Sequence, residues 1–173
     1  DVLADANGIG NPNRLSVGDE LVVPKGSSLG RPLAAKPLRN AVSLLNWSEV
    51  QKIFPRDAIA RVVDVKSGES FQIKRLFGTN HADVEPLTKA DTRIIRRFQG
   101  GKWSWDRRPI VVEIGNHRIA ASMNGYPHGK STIDNDFPGH FCVHFHDSRL
   151  HSGNRVDKDH QAAVQQAARY EER

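Results

Sequence analysis

Five short stretches of this chain carry strand-like patterns of apolar and polar residues, and three carry helical ones. Residues 58–65 (AIARVVDV) and 70–76 (SFQIKRL) flank Lys66-Ser67-Gly68-Glu69 and predict a β-hairpin. Residues 109–114 and 117–123 flank Gly115-Asn116, a pair suited to a two-residue primed turn, and predict a second. In residues 139–145 (GHFCVHF) the period of two places His140, Cys142 and His144 on one face of a strand and Phe141, Val143 and Phe145 on the other. The aromatic and aliphatic face belongs in a core, and the opposite face is left for chemistry.

The helical stretches have recognisable ends. Asn46 or Ser48 caps residues 46–54, where Trp47, Val50 and Phe54 recur at near-helical spacing before Pro55. Leu87, Ile94, Ile95 and Phe98 share one side of a helix that opens near Thr88 and Asp91 and ends at Gly100-Gly101. Asp157 caps a terminal alanine-rich helix in which Ala163, Val164 and Ala167 pack inward. Residues 46–173 therefore read as a β-rich α+β domain, made of hairpins with a few helices.

The first 45 residues are different. Residues 1–24 read as helix, loop and a short strand ending at Pro24, and residues 25–45 are rich in Gly, Ser and Pro, with Lys25, Arg31, Lys36 and Arg39 and no acidic side chain. That is the composition of a basic linker. A net charge of +5 on 173 residues suits a polyanionic partner, either a membrane surface or an anionic wall polymer. Zinc-finger spacing, a basic helix and an aromatic-rich RNA-binding signature are all missing, so nucleic acid is not expected. Apolar runs fall far short of the roughly 20 residues a membrane helix needs, and no integral membrane segment is expected. No secretion signal is visible in the chain as it begins.

The candidate chemistry centres on the single cysteine. With no partner for an internal disulfide, Cys142 is either core filler or a reactive thiol. A thiol with an ordinary pKa near 8.5 becomes a nucleophile when an adjacent imidazolium lowers that pKa. His128, His140 and His144 compete for that role. His140 and His144 lie on the same strand, about 6.6 Å along it from the thiol, and are suited to flank it. His128, in a Pro127–Gly129 turn setting, is better able to approach the strand face. Backbone N–H groups near Gly139 are candidate donors to an oxyanion. In GTNHADVEP, the residues His81, Asp83 and Glu85 alternate, so an extended backbone projects all three to one side as a metal site or an orienting ensemble. Trp103 and Trp105 share a face if extended and are candidates to stack on sugar rings.

Two resemblances join these pieces. Ala6-Asn7-Gly8, Asn11-Pro12-Asn13 and residues 17–24 (VGDELVVP) resemble the second half of a LysM module, which implies binding of N-acetylglucosamine-containing glycans, notably peptidoglycan. His128-Gly129 followed by Cys142-Val143-His144, after two hairpins, resembles the catalytic region of bacterial L,D-transpeptidases. That resemblance implies that Cys142 is the nucleophile and His128 the base, with His144 in the Arg/His position after the cysteine. It also implies peptidoglycan stem peptides as substrate, no cofactor, and an extracytoplasmic or secreted, cell-wall location. Transfer and hydrolysis both stay open. A second enzyme class is kept beside it. His144-Phe145-His146 with His81 and Asp83 resembles the zinc-ligand set of peptidoglycan metallopeptidases of the lysostaphin and D-alanyl-D-alanine type, which implies zinc. The third reading is a non-catalytic peptidoglycan-binding protein with an inert Cys142.

Overall fold

A computed structural model describes residues 41–171, so the LysM-like segment and most of the basic linker lie outside the described residues. The domain is mixed α+β and β-rich: three α-helices and six antiparallel strands. In chain order these are α1 (Trp47–Ile53), β1 (Ile59–Asp64), β2 (Ser70–Phe77), β3 (Ala82–Pro86) and α2 (Lys89–Phe98), then β4 (Arg108–Ile114), β5 (His117–Met123), β6 (Phe141–His144) and α3 (Lys158–Ala167). Both predicted hairpins are present, β1–β2 and β4–β5. The sequence pattern did not reveal that the strands close into a barrel in the order β1-β2-β3-β6-β5-β4, with β1 also pairing β4 at Val62↔Val112.

Side-chain alternation fills the closed barrel. Val62, Ile73, Val84, Val112, Ile119 and Val143 are all fully buried and belong to one apolar cluster that fills the barrel. Fully burying one such side chain contributes about 1.5–3 kcal/mol, so the interior outweighs any single polar contact at the rim. At the β1–β2 turn, Asp64 accepts from Ser67 N at 2.8 Å and from both Arg108 Nε and Nη2, at 2.5 and 2.7 Å. A fully buried carboxylate is thereby satisfied and ties the turn to β4.

The helices begin where their caps are. Thr88 Oγ1 accepts from Asp91 N, while Asp91 Oδ2 accepts from Thr88 N at 2.9 Å, a reciprocal capping box. Asp91 Oδ1 also accepts from Gln72 N at 2.8 Å, pinning α2 to β2. Asp157 Oδ1 accepts from His160 N at 2.8 Å and starts α3, whose Val164 and Ala167 pack with Ala120 of β5. Trp47 of α1 stacks on Phe145 at 5.8 Å. The chain meets the barrel slightly before α1: Ser43 bridges Ile119 in parallel, with Ala120 N donating to Ser43 O at 2.9 Å. Among the described residues, no helix is long and apolar enough to cross a membrane.

Candidate active site

β6 lies between β3 and β5, and its register places Asp83 directly opposite Cys142. Phe141 and Val143 join the barrel interior, so Cys142 and His144 occupy the other face, as the period of two predicts. The strand is shorter than residues 139–145, because the chain turns at Gly139 (φ +129°), a conformation that disfavours a side chain. A Cβ there would sit 2.4 Å from His128 O. Only glycine lets the two segments approach this closely. They pair through His128 N to His140 O (2.9 Å) and His140 N to His128 O (2.8 Å), folding the β5–β6 loop back over the strand.

That fold-back sets the central contact. His128 Nε2 lies 3.3 Å from Cys142 Sγ, and His128 Nδ1 lies 3.0 Å from Tyr126 O. A carbonyl only accepts, so Nδ1 carries the hydrogen and the neutral ring presents the Nε2 lone pair to the thiol. This is the tautomer a general base needs. Gly139 does not supply an oxyanion donor: its N–H is bonded to Phe137 O at 2.9 Å, and its function is the close approach to His128.

Asp83 is the second neighbour of the thiol. Its Oδ1 lies 3.8 Å from Cys142 Sγ, 3.5 Å from His81 Nε2 and 3.8 Å from His140 Nε2, and its Oδ2 lies 3.5 Å from His151 Nε2. The His81 approach is an ion contact without hydrogen-bonding alignment, since His81 Nε2 and Asp83 Oδ2 both lack a hydrogen-bond partner among the described residues. Burial works to raise the Asp83 pKa, but the His81 contact and the charges of His81, His151 and His140 outweigh it and hold the carboxyl below its ordinary value. Burial pushes the Cys142 thiol well up, and Asp83 adds to this; the Asn124 side chain and the Arg107 charge oppose it. The expectation of a thiolate preformed by an imidazolium is therefore corrected. Burial and Asp83 favour the thiol over the thiolate at Cys142, with His128 Nε2 as the nearest imidazole nitrogen to receive its proton.

The remaining predicted residues divide. His140 lies edge-on to His128 with centroids 4.6 Å apart, and its Nδ1 is 3.3 Å from Lys130 O, so it flanks the pair. His144 is buried in a stack between His81 (4.2 Å) and His160 (3.8 Å), and burial followed by the charges of its histidine neighbours drives its pKa far down. It is a neutral packing ring. Glu85 does not join the cluster around Cys142: its carboxylate accepts from Thr132 N (2.5 Å) and Thr132 Oγ1 (2.8 Å), bracing the β5–β6 loop. Trp103 is half-buried against Phe137 at 4.9 Å and packs with the core, which corrects its assignment to substrate. Trp105 is 48% exposed, stacks on Tyr126 at 4.7 Å and lies 5.4 Å from His128, forming an open aromatic platform beside that ring. The HxH pair is split, because His146 Nδ1 lies 3.1 Å from Gln161 Oε1 while His144 points into the stack.

Sequence reasoning missed Asn124, Tyr126, Arg107, His151 and His160. Arg107 Nη2 donates to Asp157 Oδ2 at 2.9 Å and thereby links the site to the start of α3. Only His160 left a signal, its helical spacing with Ala163, Val164 and Ala167.

No family model, curated protein or solved structure matches the chain. The chemistry rests on the geometry of the site itself.

Proposed function

We propose that this domain is a cell-wall peptide-modifying thiol enzyme, L,D-transpeptidase-like, acting on peptidoglycan stem peptides outside the cytoplasm. The observation that carries the reading is the 3.3 Å contact between Cys142 Sγ and a His128 Nε2 whose tautomer is fixed by Tyr126 O. As Sγ attacks the peptide carbonyl carbon, the thiol proton passes to Nε2. The tetrahedral intermediate then expels the amine, which takes that proton, and leaves a thioester on Cys142. A second amine, or water, gives up its proton to His128 as it attacks the thioester, and the thiol is restored. The LysM-like residues and the basic segment at 25–45 support a wall polymer as partner.

The zinc-peptidase alternative draws on the His144–His146 pair, and those two rings are held apart, His144 in the histidine stack and His146 against Gln161. The test is turnover of purified muropeptides by the full chain. Cys142→Ser abolishes it with the circular dichroism unchanged, and a chelator leaves the wild type active. Full turnover in Cys142→Ser, or turnover that the chelator removes and that added zinc restores in Cys142→Ser as in wild type, overturns the thiol mechanism. Wild-type protein that pellets with peptidoglycan yet turns over nothing supports the binding-only reading.

A further inference from the structure

We propose that His81, Asp83 and His151 form a binding site for one divalent transition-metal ion of the zinc type, beside Cys142 but without its thiol as a ligand. The starting point is a mismatch in a buried pair. His81 Nδ1 lies 2.7 Å from Arg149 O, so it carries the hydrogen and donates it. His81 Nε2 then faces Asp83 Oδ1 at 3.5 Å without hydrogen-bonding alignment, with both side chains essentially inaccessible (1% and 0% exposed). Neither His81 Nε2 nor Asp83 Oδ2 has a hydrogen-bond partner among the described residues. Buried polar atoms are ordinarily satisfied, and a cation at this point satisfies both.

The third ligand gives the ion a way in. His151 Nε2 lies 3.5 Å from Asp83 Oδ2, and its side chain is 59% exposed. The ligand atoms of His81, Asp83 and His151 all lie within 4.8 Å of one another. A tetrahedral ion with bonds of about 2.0–2.2 Å holds its ligand atoms roughly 3.4 Å apart; His81 and His151 each lie 3.5 Å from one of the two Asp83 oxygens, so the exposed His151 ring closes the remaining distance when an ion binds. Two imidazoles and one carboxylate suit zinc or cobalt better than calcium or magnesium, which prefer oxygen. Arg149 O supplies the outer hydrogen bond that metal-binding histidines ordinarily make through the other ring nitrogen.

A competing set, His81, Cys142 and His144, also has its ligand atoms within 4.8 Å of one another. Its two rings are stacked at 21° and 4.2 Å, however, so their in-plane lone pairs run side by side, whereas the His81 and His151 planes meet at 81° and allow convergence. Cys142 Sγ is also engaged with His128.

The test uses the untagged full chain, stripped with a chelator and dialysed against Co2+ or Zn2+. One equivalent of Co2+ is expected, with visible bands of a four- or five-coordinate nitrogen–oxygen site and no intense near-ultraviolet sulfur charge-transfer band. Cys142→Ser should give the same spectrum. His151→Ala, a change at an exposed side chain, should weaken binding at least about tenfold. His81→Ala should abolish it, with circular dichroism checking the fold of both. Failure to retain either ion at micromolar concentration, unchanged affinity in His151→Ala, or a near-ultraviolet band that disappears in Cys142→Ser overturns the proposal. None of these readouts uses peptide turnover, so they stand or fall separately from the thiol mechanism.

Discussion

Lowering the pH from 7.5 to 5 should destabilise this domain through His160 by an amount the structure sets. The His160 ring is 1% exposed, its Nδ1 is 2.9 Å from Ser122 Oγ, and it stacks on His144 at 3.8 Å and 8°. Burial, followed by the Arg107 charge, pushes its pKa down to about 3, against the pull of Asp157. An unfolded histidine titrates near 6.5. Between those two values the unfolded chain holds a proton that the folded chain lacks, so stability rises with pH across the window. The contribution is therefore complete above about 6.5 and is lost as the pH falls towards 3. Each pH unit inside the window is worth about 1.4 kcal/mol, so at pH 5 the loss through His160 is about 2 kcal/mol. With a urea m-value of about 1–3 kcal/mol/M, the midpoint moves by roughly 1 M. Fluorescence can follow the transition, since all three tryptophans, at 47, 103 and 105, lie in the described domain. His160→Asn removes the titration while keeping an amide near Ser122, and it should lose about 2 kcal/mol less than wild type between pH 7.5 and 5. Parallel losses in the two proteins would refute the reasoning, because they would mean that Asp157 outweighs burial and the folded ring accepts its proton.

Trp105→Ala should leave the unfolding midpoint within about 1 kcal/mol of wild type, since exposed positions contribute little. The lost stacking, worth about 1 kcal/mol, should raise KM for disaccharide-bearing muropeptides roughly fivefold. Trp103→Ala should do the reverse, lowering stability by about 2–3 kcal/mol with KM little changed. Gly139→Ala should cost at least about 2 kcal/mol and cut turnover, since its Cβ meets His128 O, whereas Gly68→Ala, in open space at φ +74°, should cost about 1 kcal/mol and leave turnover alone. Thermal melts and steady-state kinetics on these four variants check each expectation.

What was legible in the sequence is what depends on neighbours in the chain. Gly115-Asn116 gives away its hairpin because the turn and both strands lie within fifteen residues, and Thr88 and Asp91 give away the start of α2 because a capping box spans one turn. Barrel closure is not of this kind. The Val62↔Val112 pairing joins strands fifty residues apart, and nothing in either strand's alternation names its partner. The same division runs through the site. Alternation alone puts His140, Cys142 and His144 on one face and allows Asp83 to reach it from another strand. It cannot say that Glu85, on the same face of β3, is taken by Thr132 from a loop 47 residues away. His151 looked like an ordinary loop histidine because the link that brings it to Asp83 passes through Arg149 O and His81, contacts with no local pattern.

The placement of Asp83 accounts for how such a thiol is restrained. A carboxylate 3.8 Å from Sγ disfavours the thiolate, and burial disfavours it further, so a small electrophile meets a neutral thiol. In the proposed mechanism attack depends on His128, which reaches Sγ because Gly139 allows the loop to close and Glu85 holds Thr132 in that same loop. Activation is thus tied to the conformation of residues 124–140, the segment that also carries Tyr126 under Trp105. In the proposed mechanism, a substrate stacked on that aromatic pair would load the loop whose histidine takes the proton. Binding and proton transfer would then draw on one piece of backbone, tying the thiol's reactivity to substrate placement in a way that a preformed thiolate–imidazolium pair would not.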